Sequence, residues 1–338
     1  MNVWLRPISF LYAQVVEAKN AFYNRGYIAA HKVSCPVVSI GNLTVGGTGK
    51  TPITDYCLKA LVANGKKVAV ISRSYRAQAV NPTKVDIKHP KAALAYGDEP
   101  VLLAQNNPDV DVFVGSTKWK TAQFADAHNK YDLMIVDDGF QHRKLTRDLN
   151  IVIVDATEKL ANYAVFPEGR ARESVDSLSR ADLIVISKCN LASESELKSL
   201  EGILPSGHEV LYFGYDIKNI KNPATNAVVP AAELKQSKLF LVSAIARPDV
   251  FENMMSSLGE VARKNLHYRD HHQYTAQDAK NIKEQFHSSQ ADYLVTTEKD
   301  AVKLRTILVD TPLWVAPLEL AELGRKGRLV EKITALLN

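Results

Sequence analysis

The 338-residue chain has little cysteine: Cys35, Cys57 and Cys189 are scattered, odd in number and never in a C-x-x-C pair. That excludes a disulfide scaffold and a zinc ribbon, and it suits a reducing cytosol. Long apolar runs are missing. The longest, such as Ile151-Val152-Ile153-Val154, are strand length, far below the ~18 residues a spanning helix needs. No short apolar core with a small-residue cleavage site follows the first residues, so no secretory signal is expected. Internal repeats, low-complexity tracts and an H-E-x-x-H are also absent. Nor does one sign of charge dominate. Lys and Arg number 42 against 37 Asp and Glu, and a net +5 is too small to require nucleic acid.

What is present is an ordinary globular composition, 46% hydrophobic and 23% charged, which excludes disorder, collagen and coiled coil. The length corresponds to about two or three domains. Short β-branched runs at 36–41, 67–72, 110–114, 133–138, 150–155 and 182–187 each precede a turn and a helical stretch. Most are apolar without alternation, as parallel strands buried on both faces are. The pattern predicts a doubly wound, mostly parallel α/β sheet of P-loop NTPase type in a domain over 33–208. A proline- and asparagine-rich connector is expected over 209–237, then a smaller α/β domain over 238–312, and a return strand and closing helix over 313–338.

Residues 1–32 stand apart. Trp4, Ile8, Leu11, Val15, Ala18 and Phe22 fall at helical spacing on one face, and Arg6, Lys19, Arg25 and Lys32 face a single acid, Glu17. More than half of the chain's positive excess is therefore here. Such a helix either anchors at a membrane interface or packs on the sheet, and the residues alone leave both open.

The most informative stretch runs from Ser39 through Gly41-Asn42-Leu43-Thr44-Val45 to Gly46-Gly47-Thr48-Gly49-Lys50-Thr51. A buried strand feeds a glycine turn, and the turn feeds a helix opening on Lys-Thr. Glycines let backbone N–H groups approach phosphate oxygens, and the helix N-terminus adds its positive dipole end. Gly46, Gly47, Thr48, Gly49, Lys50 and Thr51 are thus expected to bind ATP, with Lys50 on the β- and γ-phosphates and Thr51 on Mg²⁺. Thr44 replaces the first glycine of the usual G-x-x-x-x-G-K-[ST] pattern. Ser187-Lys188-Cys189-Asn190 lacks the carboxylate a guanine reader needs, which favours ATP over GTP.

An apolar run at 133–136 ends in Asp137-Asp138, placed as metal-holding carboxylates beside a phosphate loop. Gly97-Asp98-Glu99-Pro100 reads either as a helix cap and first turn or as a carboxylate base with Glu99 helping the metal. Asp270-His271-His272 lies between a strand and a helix, where a histidine can share a proton with a carboxylate or simply face solvent.

Together these motifs resemble the tetraacyldisaccharide 4′-kinases of lipid A synthesis. The resemblance continues through Ser72-Arg73-Ser74-Tyr75, Asp137-Asp138-Gly139-Phe140-Gln141-His142 and Phe166-Pro167-Glu168-Gly169-Arg170-Ala171-Arg172-Glu173, and ends at Thr297-Glu298-Lys299-Asp300-Ala301. It implies ATP-dependent phosphorylation of the 4′-hydroxyl of an acylated disaccharide 1-phosphate, with Mg²⁺ held by Thr51, Glu99, Asp137 and Asp138. It implies Asp98 as the base, His271 paired with it across a domain cleft that closes, and Lys50 and Arg172 at the transferring phosphate. Asn42, Tyr75, Gln141, His142 and Glu173 are implied on the lipid substrate. The implied partners are ATP, the acylated disaccharide and a membrane surface met by the N-terminal helix, with no nucleic acid. The implied location is the cytoplasmic face of the bacterial inner membrane. The alternatives are another P-loop ATP-dependent enzyme, or a regulatory ATPase, acting on a soluble partner.

Overall fold

A computed structural model describes residues 3–75 and 77–337. Residues 1, 2, 76 and 338, which fall in the expected segments 1–32, 33–208 and 313–338, lie outside the described residues. From the N-terminus come α1 (Arg6–Asn24), β1 (Val37–Asn42), α2 (Lys50–Ala63), β2 (Val68–Arg73), β3 (Thr83–Lys84), α3 (Ala92–Tyr96) and α4 (Asp98–Asn106). Then follow β4 (Asp111–Gly115), α5 (Lys118–His128), β5 (Leu133–Asp137), β6 (Leu149–Asp155), β7 (Leu183–Ser187), α6 (Glu194–Glu201) and β8 (Val210–Asp216). Next are β9 (Asn219–Lys221), β10 (Val228–Pro230), β11 (Lys238–Ser243), α7 (Pro248–Ser256), β12 (Glu260–Val261) and β13 (Leu266–His267). The chain ends with α8 (Ala276–Ser289), β14 (Tyr293–Thr297), α9 (Glu298–Leu304), β15 (Leu313–Ala316), β16 (Glu319–Leu323) and α10 (Arg328–Thr334).

Two compact units result. The first gathers Met1–Ile87, Leu103–Tyr215 and Leu320–Asn338; the second gathers Lys88–Leu102 and Asp216–Glu319. Residues 88–102, expected inside the 33–208 domain, therefore belong with the second unit, where Asp98 finds its partners. The expected connector over 209–237 is divided as well. Its first part is β8, a strand of the first sheet, while β9 and β10 form an antiparallel pair in the second.

The first unit is built on a nine-stranded sheet of order β16-β8-β7-β6-β1-β5-β2-β4-β3. From β8 to β4 every neighbouring pair is parallel, and β3 joins antiparallel at the edge. Every residue of β1, β5 and β7 is buried, which explains their unbroken apolar runs. β1 has β5 on one side and β6 on the other, while α2 leads to β2 beyond β5. Strand order reverses here, and ligands of open α/β sheets bind at the carboxyl ends of strands at such a point. The register sets Ile40 opposite Asp137, so the acidic end of β5 lies beside the loop that leaves β1.

The second unit has a seven-stranded sheet, β10-β9-β15-β14-β11-β12, with β13 also paired to β11. Its core joins Phe240, Val242, Ile282, Leu294 and Leu304. α9 begins directly after β14, with the Thr297 hydroxyl capping it by accepting from Asp300 N at 3.2 Å.

α1 and the short helical turn before it present an apolar stripe outward. Trp4, Ile8, Leu11, Val15, Ala18 and Phe22 are all exposed, the large ones from 51% at Phe22 to 92% at Trp4. Tyr12 meets Phe166 edge-on and Arg143 lies over the Tyr23 ring, while polar residues supply the hydrogen bonds to the rest of the first unit. Buried Ser9 accepts from Glu168 N at 2.9 Å, Arg6 pairs with Glu168 at 2.9 Å, and Asn20 donates to Glu173 at 2.8 Å. Arg143 donates to Asn20 O at 2.9 Å and to Asn24 Oδ1 at 2.7 Å. The stripe does not pack on the sheet.

Candidate active site

The loop between β1 and α2 is shaped by glycine geometry and by side chains behind it. Gly46 and Gly49 have φ of +121° and +89°, and a Cβ on Gly49 would lie 1.7 Å from Tyr215 Oη. Asn42 is fully buried and its amide donates to Thr48 Oγ1 at 2.8 Å and to Thr44 O, so it shapes the loop. Ser187 Oγ donates to Thr48 O at 2.8 Å, and Lys188 Nζ to Gly47 O at 2.7 Å while pairing with Asp155. These ties hold carbonyl oxygens, which would repel a phosphate, on the protein side of the loop. Asn190 spends its amide on the Tyr215 backbone, accepting at 2.8 Å and donating at 2.9 Å.

Beside the loop, Asp138 gathers cations. Arg172 Nη1 reaches its two oxygens at 2.8 and 3.0 Å, and Lys50 Nζ lies 3.6 Å away. Arg172 also donates to Gln141 Oε1 at 3.1 Å, and Gln141 donates to Asn42 O at 3.0 Å. Lys118 is buried with its ammonium on the carbonyls of Asp137 and Asp138, at 2.5 and 2.6 Å. Ser72 Oγ donates to Asp137 Oδ2 at 3.1 Å. Burial alone would raise the Asp138 carboxyl, but Lys50, Lys118 and Arg172 outweigh it and hold it well below the carboxylate range. Burial draws the Lys118 ammonium down to about 8 against the pull of the two aspartates. Burial and the Lys118 charge push His142 down to about 3. Three cations around two carboxylates suit a polyphosphate anion.

The second unit carries a separate cluster. Asp98, 6% exposed, accepts from His271 Nδ1 at 3.0 and 3.1 Å, from Lys303 Nζ at 3.1 Å and from Glu99 N at 3.1 Å. Burial would raise its carboxyl, yet the His271 hydrogen bond and the charges of Lys299 and Lys303 hold it well below its usual range. Lys299 pairs with Glu99 at 3.1 Å and Asp270 at 3.0 Å, and its Nζ lies 3.3 Å from His271 Nε2. Asp300, wholly buried, accepts from Ala244 N and Thr297 Oγ1 and fixes the start of α9.

The structure thus brings Asn42, Lys50, Asp138, Gln141 and Arg172 together in the first unit, and Asp98, Glu99 and His271 in the second. One expectation changes. The Asp98–His271 pair, expected across a cleft, lies within one unit, because residues 88–102 fold there. Glu99, expected with Thr51, Asp137 and Asp138 on a metal, pairs with Lys299 at 3.1 Å within the second unit. Among the described residues no group of three or more His, Cys, Asp or Glu could hold a metal ion. Glu173 is buried where it accepts from Asn20 and Arg180, tying α1 down, and Tyr75 is half exposed. Sequence reasoning gave no role to Lys118, Lys188, Lys299 or Lys303. Lys188 stood in the stretch weighed as a guanine reader and Lys299 in the Thr-Glu-Lys-Asp-Ala block, while Lys118 and Lys303 carried no signal.

Comparison with known proteins gives the family. The family model described as "Tetraacyldisaccharide-1-P 4'-kinase" matches residues 1–338. A tetraacyldisaccharide 4'-kinase of Bdellovibrio bacteriovorus is 65% identical over 338 residues, covering 100% of both chains. One from Geobacter sulfurreducens is 34% identical over 325 residues, covering 92% of this chain and 90% of that one. The crystal structure of LpxK from Aquifex aeolicus in complex with ATP superposes with a TM-score of 0.76 at 26% identity, covering 99% of this chain and 98% of the other.

Proposed function

The chain belongs to the tetraacyldisaccharide-1-P 4'-kinase family, and on that premise we propose how its residues carry the reaction. The enzyme transfers the γ-phosphoryl group of ATP to the 4′-hydroxyl of a tetraacylated glucosamine disaccharide 1-phosphate, forming lipid IVA in lipid A biosynthesis. The O–P bond to the acceptor forms as the bond to the β-phosphate oxygen breaks, and ADP leaves with that electron pair. Such a transfer needs positioning and charge neutralisation more than covalent chemistry.

The loop amides and Lys50 hold the β- and γ-phosphates, and Arg172 faces the transferring group. Asp138, already neutralised by Lys50 and Arg172, holds those cations in place. Thr51 at the start of α2 and Asp137 at the end of β5 offer the hydroxyl and carboxylate oxygens that Mg²⁺ takes alongside water and phosphate. When bound, Mg²⁺ supplies charge neutralisation on the β- and γ-phosphoryl oxygens. Asp98 accepts the 4′-hydroxyl proton, and His271 orients it. The observation that carries this role is that Asp98 meets only donors, so its carboxylate is held ionised and acceptor-ready. In a loose transition state the proton moves late, so a strong base is not required.

The test is label transfer from γ-labelled ATP to the acylated disaccharide monophosphate, followed by thin-layer separation. Label is expected in the lipid, with ATP consumed mainly when lipid is present. Release of inorganic phosphate at one rate with or without lipid would instead support the regulatory ATPase.

The outward stripe of α1, with Arg6, Lys19, Arg25 and Lys32 in the same N-terminal segment, supports a seat on an anionic membrane surface, where an acylated substrate resides. No helix among the described residues is long and apolar enough to cross a membrane. Replacing Trp4, Leu11 and Val15 together by Ser is expected to lower partitioning onto anionic vesicles at least about tenfold, since each buries apolar area only at the interface. Thermal stability is expected to stay near wild type because these side chains are exposed. Unchanged partitioning would remove α1 as the anchor.

A further inference from the structure

α9 places Lys299 and Lys303 one helical turn apart, both turned to the Asp98–His271 pair. The two contacts act on different atoms. Lys303 holds the Asp98 carboxylate at 3.1 Å and His272 O at 3.0 Å. Lys299 lies on the far side of the imidazole, 3.3 Å from Nε2, with Glu99 and Asp270 anchoring its ammonium at 3.1 and 3.0 Å. An ammonium has three donors and no acceptor. The ring nitrogen that faces it can meet it only with a lone pair, so the ring proton belongs on Nδ1. Asp98 receives that N–H at 3.0 Å.

We propose that Lys299 is a positioning residue that fixes the tautomer of His271, so that the imidazole donates from Nδ1 to Asp98. The inference rests on the reading of Asp98 and His271 as the proton-handling pair. The opposite tautomer would turn an Nε2–H against the Lys299 ammonium and set a lone pair against the Asp98 carboxylate. Asp270 Oδ2 also faces Nε2, but at 3.7 Å it lies farther away than the Lys299 ammonium and beyond ordinary hydrogen-bond distance. His271 has φ of +61°, an uncommon conformation for a non-glycine residue, and its own N–H donates to Ala244 O at 3.3 Å. The backbone therefore sets where the ring stands, and Lys299 sets which nitrogen carries the proton. Glu99 and Asp270 then act through Lys299, which gives the Gly-Asp-Glu and Asp-His-His motifs a common purpose.

The test uses the full chain labelled with nitrogen-15 at histidine, the His271 resonances being assigned by their loss in His271→Gln. In the wild type, Nδ1 is expected at the shift of a protonated nitrogen and Nε2 at that of a lone-pair nitrogen. Lys299→Met is expected to mix or reverse the two and to lower kcat about ten- to a hundredfold with the KM for ATP near wild type. Lys299→Arg, which keeps the donors, is expected to restore the pattern and part of the rate. A protonated Nε2 beside an unprotonated Nδ1 in the wild type would overturn the proposal, and so would an unchanged spectrum in Lys299→Met. If Lys299→Met alters the spectrum but not kcat while His271→Gln abolishes turnover, the positioning role falls and the Asp98–His271 reading stands. If His271→Gln itself turns over normally, that reading falls, and the positioning role falls with it.

Discussion

Asp98→Asn is expected to lower turnover at least about 100-fold, the usual range for removing a positioned general base. The amide is the informative replacement. Lys303 is almost wholly buried, and Asp98→Ala would leave its ammonium only His272 O at 3.0 Å and Asp300 at 3.8 Å, so a loss of stability would be mixed with the loss of the base. Asn keeps one carbonyl oxygen for Lys303 or His271 while losing the capacity to take a proton. A large loss of kcat in a folded protein therefore reports the proton, not the scaffold. Steady-state kinetics beside a thermal melt decides it: near-wild-type turnover would return Asp98 to capping α4.

Lys50→Met is expected to lower kcat about 100- to 1000-fold, the range seen on removal of a preorganised charge at the transferring group. It is also expected to weaken ATP binding about tenfold or more, because a charge-assisted hydrogen bond contributes roughly 1.5–3 kcal/mol. The fold is expected to survive, because Asp138 keeps Arg172 at 2.8 Å and the Lys118 ammonium nearby. The thioether retains the length of the side chain, so the lost charge is the main change. Equal affinity for ATP in the wild type and the variant, by titration calorimetry, would remove Lys50 from the phosphates.

Much of the first sheet was legible in the residues. Strands expected at 67–72, 133–138 and 150–155 appear at Val68–Arg73, Leu133–Asp137 and Leu149–Asp155. Buried parallel strands leave an unbroken apolar run that needs no tertiary information to find. The glycine loop between β1 and α2 was legible for a similar reason: its glycines are required by the local φ, as at Gly46 and Gly49. The membership of residues 88–102 was not legible. It depends on Asp98 meeting Lys303, 205 residues away, and no local pattern encodes that pairing. Lys299 and Lys303 look like the solvated face of a short helix until the cluster is assembled. α1 shows a third kind of limit. Periodicity revealed a stripe at Trp4, Ile8, Leu11 and Val15, but a period states only that two faces differ. Which one faces outward is decided by Ser9, Asn20 and their partners Glu168 and Glu173.

The central claim is a division of labour: phosphate is held by the loop and Lys50 in the first unit, and the acceptor's proton is handled by Asp98 and His271 in the second. Titration calorimetry of ATP onto Asp98→Asn tests this most directly. The account predicts a dissociation constant within about twofold of wild type, less than about 0.4 kcal/mol in binding energy, despite the lost turnover. A loss of ATP affinity as large as that of Lys50→Met would contradict it, and would make Asp98 part of the nucleotide site.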